Sequence, residues 1–279
     1  MEHKRLFLKD SFSFLGEDGR NPYMDIYLPY NLKEMHREDR KRPCMVVCPG
    51  GGYSMCSERE AEPIALKFLE DGYNVFVVYY SVAPHRFPNQ LREVAATMEL
   101  IYKNADEWHC DTEKVGIIGF SAGGHLAAHY SNMYDCKEVR EVFPESKPVQ
   151  ASILSYPVIS IAFPECHEGS FKNLLGHKPS EKAEIEYFSC EYCVNENTPP
   201  AFIWHTAEDS CVPVKNSLAY AEALSKYKIP FELHIYPFGH HGISTCDDQT
   251  FDNLTDAVRY AARWITDAKK WLRLILKIS

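Results

Sequence analysis

"GIIGFSAGGHLA", residues 116–127, sets one serine between glycines where a β-branched run gives way to a run of small residues. The first run suits a strand and the second a helix, so Ser121 falls at the apex of a sharp strand-to-helix turn. Gly119 and Gly123 lack the β-carbons that would collide as the chain reverses, which leaves the Ser121 hydroxyl clear of a sheet on a strained turn. The helix that follows aims backbone N–H groups and its positive end at the same point, which suits an anion formed there. The pattern is G-x-S-x-G. A glycine-rich turn with a capping serine spells the same letters, so the rest of the chain must supply a base, an acid and an anion cradle.

Outward from this turn, strand and helix patterns alternate. "MDIYLP" (24–29) alternates as an antiparallel strand near a sheet edge does, and "CMVVCPGGGY" (44–53) and "YNVFVVYYS" (73–81) are runs suited to strands covered on both faces. Further strands are expected at "KVGIIGF", at "VQASILSYPVIS" (149–160), at "PAFIWHTA" (200–207) and at "PFELHIYPF" (230–238). Helical spacing marks "EREAEPIALKFLEDG", 88–108, the residues after Ser121, 214–227 and 251–272. This alternation specifies an α/β class with a mostly parallel sheet between helix layers, where chemistry gathers at the carboxyl ends of the strands. Residues 161–198 break the rhythm and read as an excursion, either a small cap over a pocket or a surface loop. The whole chain, 1–279, reads as one domain around that excursion.

A serine hydroxyl needs a base to take its proton as it attacks. His125 lies inside the helix after the turn, where its ring packs beside the helix. The better placed candidates are in "PFGHHGIS" (237–244), on a loop just past the last strand, and His241 before Gly242 is preferred to His240. The base in turn needs a carboxylate to hold its tautomer, and "HTAEDSCVPV" (205–214) offers Glu208 and Asp209 directly after a strand, with Asp209 preferred because a turn follows it. "CPGGGY" (48–53), after another strand, supplies backbone that can approach an oxyanion closely. Gly51 and Gly52, with the amide of Ala122, are the expected oxyanion hole. A phosphate loop is the rival reading of the three glycines, but the Lys and Ser/Thr of a P-loop are missing. The order Ser121, Asp209, His241 is that of α/β-hydrolases.

The formal charge of −9 and the one basic run, "HREDRKR" (36–42), interrupted by Glu38 and Asp39, argue against nucleic acid or an anionic membrane as partner. The run reads as a solvated loop. No apolar stretch reaches signal-peptide or bilayer length, so a cytoplasmic location is expected. Ten scattered cysteines read as reduced thiols, and the lone "CEYC" of Cys190 and Cys193 lacks the second pair of a zinc site. The adjacent histidines lack a third metal ligand. Trp264, Ile265, Trp271, Leu272 and Ile275 suit packing of the last helix on its own sheet, and a homodimer stays open.

With these residues in place the chain resembles the α/β-hydrolase superfamily, and within it small bacterial esterases of the acetyl-xylan-esterase or "sugar hydrolase" type, related to BD-FAE-like and hormone-sensitive-lipase-like enzymes. "PGGGY" stands where many relatives have His-Gly-Gly-Gly, with Pro49 in place of the histidine; "GFSAGGHLA", "HTAEDSCVPV" and "PFGHHG" are the elbow, acid loop and histidine loop. The resemblance implies an α/β-hydrolase fold and a serine carboxylesterase that cleaves short acyl esters, acetate on a sugar above all, without metal or organic cofactor. An acidic chain expected to lack a signal peptide fits imported acetylated oligosaccharides or other small-molecule esters better than polymeric xylan outside the cell. Two rivals remain: an amidase, formamidase or small peptidase using the same three residues, and a binding module that keeps the fold without catalysis.

Overall fold

The computed structural model describes residues 1–278. Eight strands form a single sheet: β1 (Glu2–Phe7), β2 (Tyr23–Leu28), β3 (Arg42–Cys48), β4 (Asn74–Tyr79), β5 (Cys110–Phe120), β6 (Ala151–Ser155), β7 (Ala201–Thr206) and β8 (Phe231–Tyr236). Their order is β1-β2-β4-β3-β5-β6-β7-β8. β1 and β2 run antiparallel to each other and β2 antiparallel to β4, while every pairing from β4 to β8 is parallel. The chain moves outward from β3 to β4 and then returns to the far side of β3 with β5. Such a reversal opens a crevice at the carboxyl ends of the two strands, and the glycine loop and Ser121 emerge from those two ends.

Period-two side-chain alternation fills both faces. In β3, Cys44, Val46 and Cys48 enter one core and Met45 and Val47 the other. The first core lies under α2 (Asn89–Lys103), α3 (Ala122–Met133) and α6 (Lys215–Lys226); the second lies under α1 (Glu62–Glu70) and α7 (Arg263–Ile275). In α7, Trp264 stacks on Trp204 with ring centroids 5.0 Å apart, so this helix packs on its own sheet as expected.

Four local differences from the expectations have physical causes. β1 was not expected, because its residues, none of them buried and three of the six charged, carry no apolar alternation; its pairing with β2 creates it. Residues 251–255 are not helical: Asn253 is in the left-handed region, and Thr255 caps the first turn by accepting from the Val258 amide. The solvated loop ends one residue early. Arg42 is buried as the first residue of β3, donating to Asn31 Oδ1, the Gly72 carbonyl and the Tyr30 carbonyl. The excursion contains α4 (Glu168–Leu175) and α5 (Lys182–Phe188), too short for a clear period in the sequence.

Candidate active site

The serine turn is fixed by lack of space. A β-carbon on Gly119 would lie 2.1 Å from the Gly123 carbonyl oxygen, and one on Gly123 would lie 2.1 Å from the Cys48 carbonyl oxygen. Only hydrogen fits where β5, α3 and β3 converge. Ser121 pays for this closeness with φ 52° and ψ −119°, a sparsely populated conformation that costs about 1–3 kcal/mol. Its amide donates to the Ser155 carbonyl, and its own carbonyl accepts from His125 and Val158, so neighbouring elements hold the strained residue.

Ser121 Oγ lies 2.7 Å from His241 Nε2, and His241 Nδ1 lies 2.6 Å from Asp209 Oδ2. The carboxylate can only accept from Nδ1–H, which leaves Nε2 as acceptor of the serine proton. Asp209 is buried, and its other oxygen accepts from the amides of Cys211 and Val212 at 3.0 and 2.8 Å. Burial alone would raise its pKa, but hydrogen bonds from His205 and His241, the His241 charge and the Val212 amide outweigh it and hold the acid well below the usual carboxylate range. Asp209 is therefore ionised wherever the protein is folded near neutrality.

Glu208 and His240 stand outside this chain. Glu208 accepts from the Gly239 amide, and His240 is exposed, with its Nδ1 2.8 Å from the His241 carbonyl. His125 is fully buried: Nδ1 accepts from the Tyr53 hydroxyl at 2.8 Å and Nε2 donates to the Phe188 carbonyl at 2.9 Å. Burial lowers its pKa to about 4, so it stays neutral and ties the glycine loop to α5.

The glycine loop turns through Gly51 at φ 124° and Gly52 at φ 62°. A β-carbon on Gly51 would lie 2.2 Å from the Met55 carbonyl oxygen. Among the described residues, the amides of Gly51, Gly52 and Ala122 donate to no protein group. Gly51 and Gly52 line, with Ser121 and His241, a crevice of about 390 Å³. Three unspent donors beside a serine hydroxyl can together receive one negatively charged oxygen.

Sequence reading missed the side chains that brace this loop. Glu60 is buried and accepts from the Gly50 amide at 2.8 Å and from the Tyr156 hydroxyl at 2.7 Å, while that hydroxyl accepts from the Ser244 amide in the histidine loop. Burial raises the Glu60 pKa, opposed by the Tyr156 and Gly50 hydrogen bonds and by the His241 charge. One carboxylate thus joins the glycine loop, the end of β6 and the loop of His241. The Tyr80 hydroxyl donates to the Pro49 carbonyl at 2.5 Å, a brace next to the glycines. From the excursion, Asn173 donates to the Gly52 carbonyl at 2.9 Å, and His167 lines the crevice. Burial, then the His241 charge, lowers the His167 pKa. Only the fold brings these five residues around the glycine loop and its crevice; a glutamate just before a helix reads in sequence as an ordinary first-turn residue.

The sheet order, the strained serine at the end of β5 and the histidine beyond β8 define an α/β hydrolase. The BD-FAE family model matches residues 24–224, and the chain belongs to that family. The crystal structure of an acetyl ester-xyloside bifunctional hydrolase from Caldicellulosiruptor lactoaceticus superposes with a TM-score of 0.84 at 32% identity, covering 99% of this chain and 97% of that one. Among curated relatives, an endo-1,4-beta-xylanase B of Butyrivibrio fibrisolvens is 40% identical over 81% of this chain and 36% of its own length. An acetylxylan esterase of Xylanibacter ruminicola is 34% identical over 82% of this chain and 45% of its own length. The chain thus spans less than half the length of these two relatives. No helix among the described residues is long and apolar enough to cross a membrane.

Proposed function

We propose that this chain hydrolyses short-chain carboxylic esters, acetyl groups on sugars above all, through an acyl-serine intermediate. The observation that carries the reading is the continuous hydrogen-bond chain Asp209–His241–Ser121 beside three unspent amides. Ser121 Oγ attacks the ester carbonyl carbon as His241 Nε2 takes its proton, and the Gly51, Gly52 and Ala122 amides receive the negative oxygen. The intermediate collapses, the alcohol leaves with the proton from His241, and the acyl group stays on Ser121. Water then gives its proton to His241 Nε2 and attacks the acyl carbon; the second intermediate collapses with cleavage of the bond to Ser121 Oγ, which takes the proton back from His241 as the carboxylic acid departs.

A sugar as alcohol is supported by the polar wall of the crevice, with Ser54, Ser57, Arg59 and Asn173, and by the name of the acetylxylan esterase relative. The xylanase name of the other relative belongs to a protein matched over only 36% of its length. Cleavage of a glycosidic bond uses a free pair of carboxyl groups, whereas Glu60 and Asp209 are both committed to internal hydrogen bonds. We assign 161–198 the role of a wall over the ester pocket, through His167, Gly169 and Asn173.

The test is release of acetate from p-nitrophenyl acetate and from acetylated xylo-oligosaccharides, beside an N-formyl amide. Ser121→Ala is expected to lose about 10⁶ in kcat, the scale of triad knockouts. Near-wild-type turnover by that variant, or faster cleavage of the amide than of the esters, overturns the reading.

A further inference from the structure

The two buried arginines among the described residues are treated differently. Arg42, 7% exposed, donates to three internal acceptors. Arg20, 8% exposed, donates to one, the Phe14 carbonyl at 2.7 Å, and its Nε is buried with no partner. Among the described residues no carboxylate pairs with it. The nearby carboxylate of Glu93 is occupied by the Ser81 amide and hydroxyl at 2.6 and 2.5 Å. Glu93 and Arg20 feel each other's charge, but no carboxylate oxygen reaches the guanidinium, which keeps donors without an acceptor. Arg20 lines a second open crevice of about 390 Å³.

That crevice continues toward the serine. It shares Tyr23, Glu58 and Tyr79 with a third crevice, which shares Arg59 with the pocket of Ser121. The floor between is preformed: Tyr23 and Tyr79 stack at 4.5 Å, and the Arg5 guanidinium lies 4.1 Å from the Tyr23 ring centre, fixed by Asp25. Glu58 is the carboxylate facing the crevice; it is exposed, so water screens its repulsion of an anion far more than it screens the buried Arg20.

We propose that the Arg20 crevice is an oxyanion subsite that binds the carboxylate of a uronic acid unit in an oligosaccharide whose ester sits at Ser121. The assignment rests on the ester-hydrolase reading above and narrows its substrate to acidic, acylated oligosaccharides. With Nε buried and one terminal nitrogen on the Phe14 carbonyl, the remaining end of the guanidinium is the part a carboxylate would meet, and a charge-assisted hydrogen bond there gives about tenfold in affinity.

Two measurements test it. The first is the ratio of kcat/KM for an acetylated xylo-oligosaccharide carrying a uronic acid to that for its neutral counterpart of equal length. The ratio is expected to be about ten in the wild type, to fall to near one in Arg20→Gln, and to rise two- to threefold in Glu58→Gln. A wild-type ratio near one, or a ratio that survives in an Arg20→Gln protein with a normal melting transition, overturns the subsite. Should Arg20→Gln not fold, an unchanged ratio in Glu58→Gln counts against it equally. The second is calorimetric titration of glucuronate and of inorganic phosphate into Ser121→Ala protein. Saturable glucuronate binding supports the assignment, and phosphate binding alone overturns the sugar-acid source. If no sugar ester is cleaved, the hydrolytic reading fails while this titration still decides the fate of the Arg20 site.

Discussion

The serine turn and the glycine loop face each other across one crevice, yet different physics holds them. The turn is locked by excluded volume, with backbone oxygens 2.1 Å from where β-carbons on Gly119 and Gly123 would stand. The loop is held by side chains that arrive from elsewhere: Glu60 on Gly50, Tyr80 on Pro49 and Asn173 on Gly52. A steric lock is local and tolerates no added atom. A hydrogen-bonded brace is long-range and fails by degrees.

The largest expected effect therefore falls on the turn. Gly123→Ala places a methyl against the Cys48 and Pro49 carbonyls, and neither strand end can retreat without breaking the sheet. Loss of at least about 3 kcal/mol in urea denaturation, or of any cooperative transition, is expected. A variant as stable as the wild type would show that the turn is not a steric lock. Next in size is the brace. Glu60→Ala strands the Gly50 amide and the Tyr156 hydroxyl and frees both loops to shift, so kcat on p-nitrophenyl acetate should fall about 100-fold with a smaller change in KM. Glu60→Gln, which keeps the bulk and one acceptor, should recover much of that loss. If Glu60→Ala turns over normally, the loop is self-supporting and the contrast between the two regions dissolves.

The same contrast explains what could be read from sequence. Strands buried on both faces, helices with one apolar stripe and the glycines of the turn all act within about ten residues, so the α/β class and the sheet were legible from periodicity, and Ser121, Asp209 and His241 from their places just after strands. β1 was not legible, since an exposed, charged strand gains its identity from β2 rather than from its own pattern. Nor were Glu60, Tyr156, His167 and Asn173. Glu60 and Tyr156 lie 96 positions apart in the chain, and only the closed sheet makes them partners.

A third prediction concerns the floor under the glycine loop, where His125 and His129 are buried at one turn's spacing. Burial lowers their pKa values to about 4 and about 3 from the ordinary 6.5. An unfolded chain then binds more protons than the folded one as pH falls through 6.5, so stability is complete above that value and is lost toward pH 4. Between pH 7 and 5 each histidine removes about 2 kcal/mol. Glu93 opposes them: burial raises its pKa to about 7, so its contribution improves by about 2 kcal/mol over the same fall in pH. The net expectation is a loss of about 2 kcal/mol, measured by denaturation at the two values. His129 Nε2 has no partner, so His129→Phe keeps the ring packing and should make the profile nearly flat. A wild type equally stable at pH 7 and 5 would refute this.

The smallest effect sharpens the comparison at single-residue resolution. His240 and His241 are neighbours on a loop bounded by Gly239 at φ 135° and Gly242 at φ 77°, yet their rings go different ways. One ring goes to Ser121 and Asp209. The other goes to solvent beside Phe251, with centroids 5.1 Å apart. His240→Ala removes an exposed ring that touches neither the serine nor the carboxylate, so stability should change by less than about 0.5 kcal/mol and kcat/KM by less than twofold. His241→Ala should abolish turnover on the scale of Ser121→Ala. Two adjacent identical residues then differ by several orders of magnitude because the backbone between two glycines aims only one of them inward. Comparable losses from both substitutions would mean that the loop, rather than the ring of His241, is what the serine requires.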